Sequence, residues 1–369
     1  MQKIKLHWAT PIHNQVANAY GYNQHNSMMR KYSEKYMDYD DNAEWALTIT
    51  PADNFTPVIG KKNILFTMWE FADLPNSYIR GIAKADAIIV PSTYCRDLFR
   101  KYTSAPVYVC REGIEPDKFP FHKRIIPTKN NGVKFRILWC GAPNPRKGYP
   151  FMLELIKVFE QMPSCEVYMK TTMPKMNWKQ TLINAWIRRK EIMYKDNVRL
   201  AFLRMFRRIP KPYYANMLKV LGTHKNIIYD TRKLPLNELV ELYNSAHLFI
   251  LPTLGEGWGL TLCEAMATGC PSIATPVTGC ADFFNDEVGY SIKYSVQPQT
   301  LDNYENLKTK TFLPDTKDLM QKVIYVMSHY DEAVRKGFKA SEYIHKKFTW
   351  DLSAQRLNDI LIEIQRGKV

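Results

Sequence analysis

Pro252-Thr-Leu-Gly-Glu256-Gly-Trp-Gly-Leu-Thr-Leu-Cys-Glu264-Ala-Met-Ala-Thr-Gly-Cys-Pro271 decides the fold class of this chain. The run before it, residues 247–251, is short and apolar, as a buried strand of a parallel sheet should be. Gly255, Gly257 and Gly259 then break the pattern, and helical spacing follows to about Thr268. Strand, glycine-rich turn and helix in that order form the repeating unit of an α/β protein. The glycines let the backbone come close to a ligand and take up positive φ. A helix starting near Gly259 offers unpaired N–H groups and the positive end of its dipole to an anion. Glu256 stands before that helix and Glu264 about five residues inside it. Solvated carboxylates beside a packing turn would read the same way.

Outward from this stretch the same rhythm recurs. Strand-like runs at residues 3–8, 45–49, 63–68, 87–90 and 107–110 alternate with helical patterns at 27–36, 77–84 and 94–102. Residues 119–132 turn polar, with Pro127 and a Lys-Asn-Asn-Gly run, and read as a linker. A second series follows, with strands at 134–140, 166–169, 226–229, 248–251, 272–274 and a weak 289–292. Its helices fall at 149–161, 236–246, 259–268 and 317–347. The expectation is two Rossmann-like α/β domains facing each other across a cleft, whose ligands bind at the carboxyl ends of the strands.

Bulk properties agree. A chain of 369 residues suits two domains, and 46% apolar with 24% charged residues excludes a disordered or fibrous chain. No apolar run approaches the length needed to span a bilayer, and the N-terminus enters a strand directly, so work in the cytosol is expected, with the inner membrane face as a peripheral site. The seven cysteines are scattered and form no CxxC pair, which argues against a zinc site or a disulfide framework.

The E-x7-E spacing within EGWGLTLCEAMATGCP resembles the donor-binding motif of family 4 retaining glycosyltransferases, which have the GT-B architecture. The resemblance implies that Glu256 addresses the transferred sugar and Glu264 the ribose of a nucleotide. The backbone of Gly257, Trp258, Gly259 and Leu260 would then face sugar and diphosphate. Arg146-Lys147-Gly148 resembles the family's R-K-G element, whose lysine contacts the diphosphate. Gly113-Ile-Glu-Pro-Asp-Lys-Phe119 resembles the segment closing the N-terminal domain, and Phe348-Thr-Trp-Asp351 the element before a helix that packs back on it. Domains are therefore expected at 1–125, 126–345 and 346–369, the last being that helix.

The chain also departs from the family. Gly141-Ala142 stands where many relatives carry Gly-Arg, so Arg146 is expected to substitute. Trp69-Glu70 stands where many place a histidine, which makes Glu70 a candidate for acceptor or sugar contact. The N-terminal glycine loop is reduced to Tyr20-Gly21-Tyr22, with Gly21 left to admit a phosphate or the acceptor. His13 and His25 lie near the same cleft loop. The implied mechanism is transfer of a hexose, UDP-glucose being the favoured donor, to a hydroxyl with retention. Lys147 and Arg146 would stabilise the leaving diphosphate, and Glu256 the oxocarbenium-like sugar. No metal is expected: Asp38-Tyr-Asp40-Asp41 contains a D-x-D, but no clear strand leads into it.

Net charge is +15, and fourteen Lys/Arg against Glu191 and Asp196 fall between residues 170 and 225. Within this stretch, residues 173–212 exceed what the family pattern needs. They carry Arg188-Arg189-Lys190, Arg204, Arg207 and Arg208, beside Trp178 and Trp186 at helical spacing. Three readings stay open: a packed helical hairpin with a solvated face, a grip on nucleic acid phosphates, or an anionic membrane surface. The second is slightly favoured and makes the acceptor a hydroxylated base in DNA, as for virus-type DNA glycosyltransferases. The third makes it a glycolipid or polysaccharide. A non-catalytic nucleotide-sugar binding protein is the alternative of another class.

Overall fold

The computed structural model describes residues 3–10, 20–127, 132–142, 144–159, 162, 164–171 and 226–366. The basic candidates Arg188, Arg189, Lys190, Arg204, Arg207 and Arg208, and His13, lie outside the described residues.

Two six-stranded sheets, each with every pairing parallel, carry the structure. The first contains β1 (Ile4–Trp8), β2 (Met37–Tyr39), β3 (Trp45–Ile49), β4 (Lys62–Phe66), β5 (Ala87–Val90) and β6 (Val107–Val109), in the order β2-β1-β3-β4-β5-β6. The second contains β7 (Phe135–Cys140), β8 (Cys165–Lys170), β9 (Ile227–Asp230), β10 (Leu248–Leu251), β11 (Ser272–Ala274) and β12 (Tyr290–Ser291), in the order β12-β11-β10-β7-β8-β9. Every residue of β5 and β10 is buried, as helices on both faces of a parallel sheet require. The two-domain α/β expectation is met.

Strand order reverses between β1 and β3 in the first sheet and between β7 and β10 in the second. At such a switch point the loops leaving the two strands run to opposite faces and open a crevice beyond the carboxyl ends. The loops at Gly141–Gly148 and Pro252–Gly259 leave the second switch point, so topology alone puts Arg146-Lys147 beside Glu256.

The helices are α1 (Tyr20–Ser33), α2 (Asn76–Ile82), α3 (Thr93–Phe99), α4 (Tyr149–Phe159), α5 (Leu236–Ser245), α6 (Leu260–Ala267), α7 (Thr316–Ser328), α8 (Tyr330–Lys347) and α9 (Trp350–Gln365). Trp350, Leu357, Ile360, Leu361 and Ile364 of α9 join the core under β1 and β3, so the end of the chain packs on the first sheet. Entry to α9 is fixed by a bridge between Ile114 and Thr349, with Ile114 N donating to Phe348 O and Trp350 N to Ile114 O. A Cβ on Gly113 would fall 2.3 Å from the Thr349 carbonyl carbon, so glycine is needed for that approach.

Four local expectations are corrected. Helix α1 begins at Tyr20, so Tyr20-Gly21-Tyr22 is its first turn and not a loop. Asp38 lies in the edge strand β2 where no strand was expected. Its length of three residues, with only Met37 fully buried, gives little alternation to detect. Residues 317–347 form two helices, because His329 (φ −124°, ψ 44°) leaves helical geometry without a proline or glycine to announce it. Finally, β13 (Tyr294–Leu301) and β14 (Leu307–Pro314) form an antiparallel hairpin. Pro298 within its first strand weakens the sequence signal, but a two-stranded hairpin consists of edges, where proline is tolerated.

Candidate active site

The site is built on the loops that leave β7 and β10. After β7, Asn144 accepts from Lys147 N at 3.0 Å and caps a short 3-10 turn, Pro145–Lys147. Gly148 ends the turn at φ +77°, where a Cβ would lie 2.0 Å from Pro252 O. Only glycine lets this loop cross the one after β10, and the crossing holds Arg146 and Lys147 against Glu256. Lys147 Nζ is 2.6 Å from Glu256 Oε2, and Arg146 reaches the same oxygen at 3.4 Å. Arg146 also donates to Gly255 O at 2.5 Å and pairs with Glu70 Oε1 at 3.3 Å. Glu70 follows β4, so this ion pair joins the two halves of the molecule.

Glu256 is 4% exposed. Its other oxygen accepts from Thr253 Oγ1 at 3.2 Å, and its backbone is pinned on both sides by the Thr278 hydroxyl, at 2.7 and 2.8 Å. Thr278 itself holds a left-handed φ of +51°, uncommon for a non-glycine residue. Burial pushes the Glu256 carboxyl up, but the adjacent Lys147 and Arg146 charges hold it below its usual range overall. Two cations and two carboxylates thus compensate one another in a partly buried setting where an unpaired charge would cost several kcal/mol. An entering diphosphate can replace the carboxylates as the partner of both cations.

Glu264 sits on α6, which starts from Gly259 at φ +114°. It is equally buried, but its partners are neutral: Tyr243 OH donates at 2.9 Å and Gln24 Nε2, from α1 of the other half, at 3.4 Å. Burial raises its pKa to about 7, against the lowering effect of these two hydrogen bonds, with Glu112 nearby raising it further. Glu112 in turn lies 3.1 Å from His25 Nδ1, and both are buried.

The remaining candidates divide. Gly255 and Gly257 press on the first half; a Cβ would meet Glu70 O at 2.1 Å and Met68 Sδ at 2.5 Å respectively. The Trp258 indole is 1% exposed and packs on Phe283 (4.8 Å) and Phe348 (5.3 Å), so what it offers a ligand is backbone. Leu260 opens α6 and is half-buried between the two cores. Gly141 follows β7, its N–H donating to Lys170 O. Gly21 has open space around it, and nothing steric there demands glycine. Asp38, Asp40 and Asp41 face Lys3, Lys5 and His7 across the edge of the first sheet. Among the described residues no group of three or more His, Cys, Asp or Glu is placed to hold a metal, and no helix is long and apolar enough to cross a membrane.

Sequence reading missed Gln24, Tyr243, Thr253 and Thr278. Common polar residues carry no spacing signal, and two of these contacts span 240 and 22 positions. It also missed a cavity of about 370 Å³ at the β1/β3 switch point, lined by Thr10, Tyr22, Asn23, Asn26, Thr50 and Asn54 among others. Tyr22 OH bonds the backbone of Met68, which touches Gly257, so this cavity adjoins the ion cluster.

Comparison with solved structures settles the architecture. Sucrose-phosphate synthase from Thermosynechococcus elongatus superposes with a TM-score of 0.60, over 92% of this chain and 76% of that one, at 14% identity. Anabaena Alr3699/HepE, solved in complex with UDP and glucose, superposes at 0.58 over 90% and 80%, at 11% identity. The fold is GT-B. Residues 181–307 of this GT-B chain match the family described as Glycosyl transferases group 1. Sucrose synthase 1 of Hordeum vulgare is 31% identical over 109 residues, 30% of this chain and 12% of that protein. The chain therefore spans only a small part of the curated relatives it matches.

Proposed function

We propose that this protein is a retaining, family 4-type glycosyltransferase that moves a hexose from a nucleotide sugar, UDP-glucose foremost, to a hydroxyl acceptor. The observation that carries the reading is the Arg146–Lys147–Glu256 cluster at a topological switch point, with buried Glu264 eight residues beyond Glu256. Lys147 and Arg146 hold the diphosphate and take up the charge that develops on it as the sugar–phosphate bond breaks. Glu256 exchanges its cation partners for sugar hydroxyls and for the positive character of the anomeric carbon. Glu264 accepts from the ribose hydroxyls, and the first turn of α6 offers free N–H groups to phosphate. The complex of HepE with UDP and glucose supports a uridine donor. Glu70 lies where donor and acceptor meet, and the neutral crevice between β1 and β3 takes the acceptor. A domain boundary near residues 125–126 belongs to the same reading, and the change of sheet between β6 and β7 supports it.

For the acceptor, a hydroxylated base in DNA is the leading reading and a glycolipid or polysaccharide at an anionic membrane the second; both rest on the charge of residues 170–225. Thermal-shift titration with UDP-glucose and related nucleotide sugars tests the donor, since a ligand of the native state raises its stability. Donor hydrolysis or transfer that survives in Glu256→Ala would sink the role given to Glu256, and the absence of both reactions in the wild type would leave a binding protein. DNA and anionic vesicles, each tested across a salt series with the Arg204/Arg207/Arg208 triple variant, separate the acceptors. Binding to neither removes both.

A further inference from the structure

The β13–β14 hairpin leaves the second half of the molecule and ends on the first. Its strands pair along their whole length, from Tyr294 opposite Pro314 to Leu301 opposite Leu307. Most of its body is exposed, including Tyr294, Val296, Lys308 and Lys310. Thr311 and Pro314 are buried in its second strand and Phe312 meets Tyr94 at 6.2 Å, and a further set of contacts with the first half lies at and near the tip. Tyr304 meets Trp69 edge-on, with centroids 4.9 Å apart at 86°, and also lies against Tyr78 at 6.4 Å. Leu301 and Leu307 pack into the same cluster. Thr309, 5% exposed, accepts from Asp73 N at 3.1 Å, and its hydroxyl donates to the Asp73 carboxylate at 3.0 Å. Arg80 and Glu305 add an exposed pair at 3.2 Å.

The loop so gripped is residues 69–73. Trp69 Nε1 donates to Asp73 O at 2.8 Å and closes it into a small unit. Between the two gripped ends stands Glu70, the partner of Arg146. We propose that the hairpin is a positioning element for the donor subsite: by clamping Trp69 and Asp73 it fixes Glu70, and through Glu70 it orients the Arg146 guanidinium. This rests on the reading of Arg146 as a diphosphate ligand. Tyr304 and Thr309 are positioning residues that act through loop 69–73. A hairpin with a largely solvated body and a half-buried tip gains little core for itself; what it adds is constraint on the loop it touches, the kind of support a preorganised site needs.

The test uses the full chain with Tyr304→Ala, Tyr304→Phe, Thr309→Val and Glu70→Gln. Hydrogen exchange of residues 67–75 needs no activity, and it should rise in Tyr304→Ala and Thr309→Val while β7 and β10 stay protected. In steady-state assays Tyr304→Ala should raise the donor KM about tenfold and change kcat by less than about twofold. Tyr304→Phe, which keeps the ring, should restore wild-type KM. The Tyr304→Ala/Glu70→Gln double variant should be no worse than the worse single one, as expected of residues acting through one another. Unchanged exchange at 67–75, or effects of the two substitutions that multiply, overturns the proposal. Should Tyr304→Ala fail to fold, Thr309→Val carries the exchange test with one hydroxyl removed. If the wild type binds no nucleotide sugar, the donor-site reading falls, and exchange alone decides whether the hairpin holds the loop.

Discussion

The two switch points share a topology and differ in chemistry. Between β7 and β10 the loops deliver Arg146, Lys147 and Glu256, and Glu70 arrives from the other half to complete an ion cluster. Between β1 and β3 the crevice is lined mainly by threonines, asparagines and a tyrosine, with no charged side chain among its described lining residues. Parallel strand order opens both crevices; the few residues after each strand decide which ligand each can take. A charged crevice suits a diphosphate that leaves with its negative charge. A neutral one suits a hydroxyl-bearing group that must not be held too strongly.

The largest expected effect falls on the charged crevice. Lys147→Ala and Glu256→Ala should each lower kcat by about a hundredfold or more, the scale for removing one preorganised electrostatic contact; steady-state transfer assays measure it. An effect below tenfold in both would mean the cluster is structural. Next, Arg146→Ala should raise the donor KM about tenfold, and the fall in donor affinity between low and high salt should be smaller in this variant than in the wild type. Equal salt dependence of variant and wild type would remove Arg146 from the charged crevice's contact with the donor. Substitution in the neutral crevice should be milder: Thr50→Val or Asn23→Ala should raise the acceptor KM by about three- to tenfold, the factor for a hydrogen bond of about 1 kcal/mol, and leave the donor KM unchanged.

The smallest effect concerns the two glutamates of the motif, equally buried but oppositely partnered. The folded pKa of Glu264, about 7, lies above the ordinary value. Its protonated form therefore favours the native state below the ordinary carboxyl range, and this contribution is lost as pH rises toward 7. Glu264→Gln mimics the protonated form, so its melting temperature relative to wild type should climb between pH 5 and pH 8. For Glu256 the folded pKa is lowered, so its contribution is present above the ordinary range and lost on acidification. The difference between Glu256→Gln and wild type should therefore narrow as pH falls. Parallel pH–stability profiles for the two variants would contradict the assigned environments.

Much of this was legible in the sequence. Short continuous apolar runs such as Ala87–Val90 and Leu248–Leu251 have the length and flanks of strands covered on both faces, and the glycine turn after Leu251 is a local fact of backbone sterics. Arg146, Lys147 and Glu256 could be named because they stand in segments that resemble the donor-binding motifs of a known glycosyltransferase family. The hairpin was hidden by Pro298 and by polar strands whose exposed body shows no strong apolar alternation. Gln24 was hidden because its distance from Glu264 along the chain carries no pattern.

The sequence by itself determined two parallel α/β sheets and the glycine turn that leaves β10, since strand burial, turn sterics and helix starts are properties of neighbouring residues. Only the tertiary structure decided that Glu264 meets Gln24, that Trp258 turns into the core, and that Tyr304 lands on Trp69. Those contacts join segments far apart in the chain, and their energy exists only once both sheets have formed and the space between them is filled.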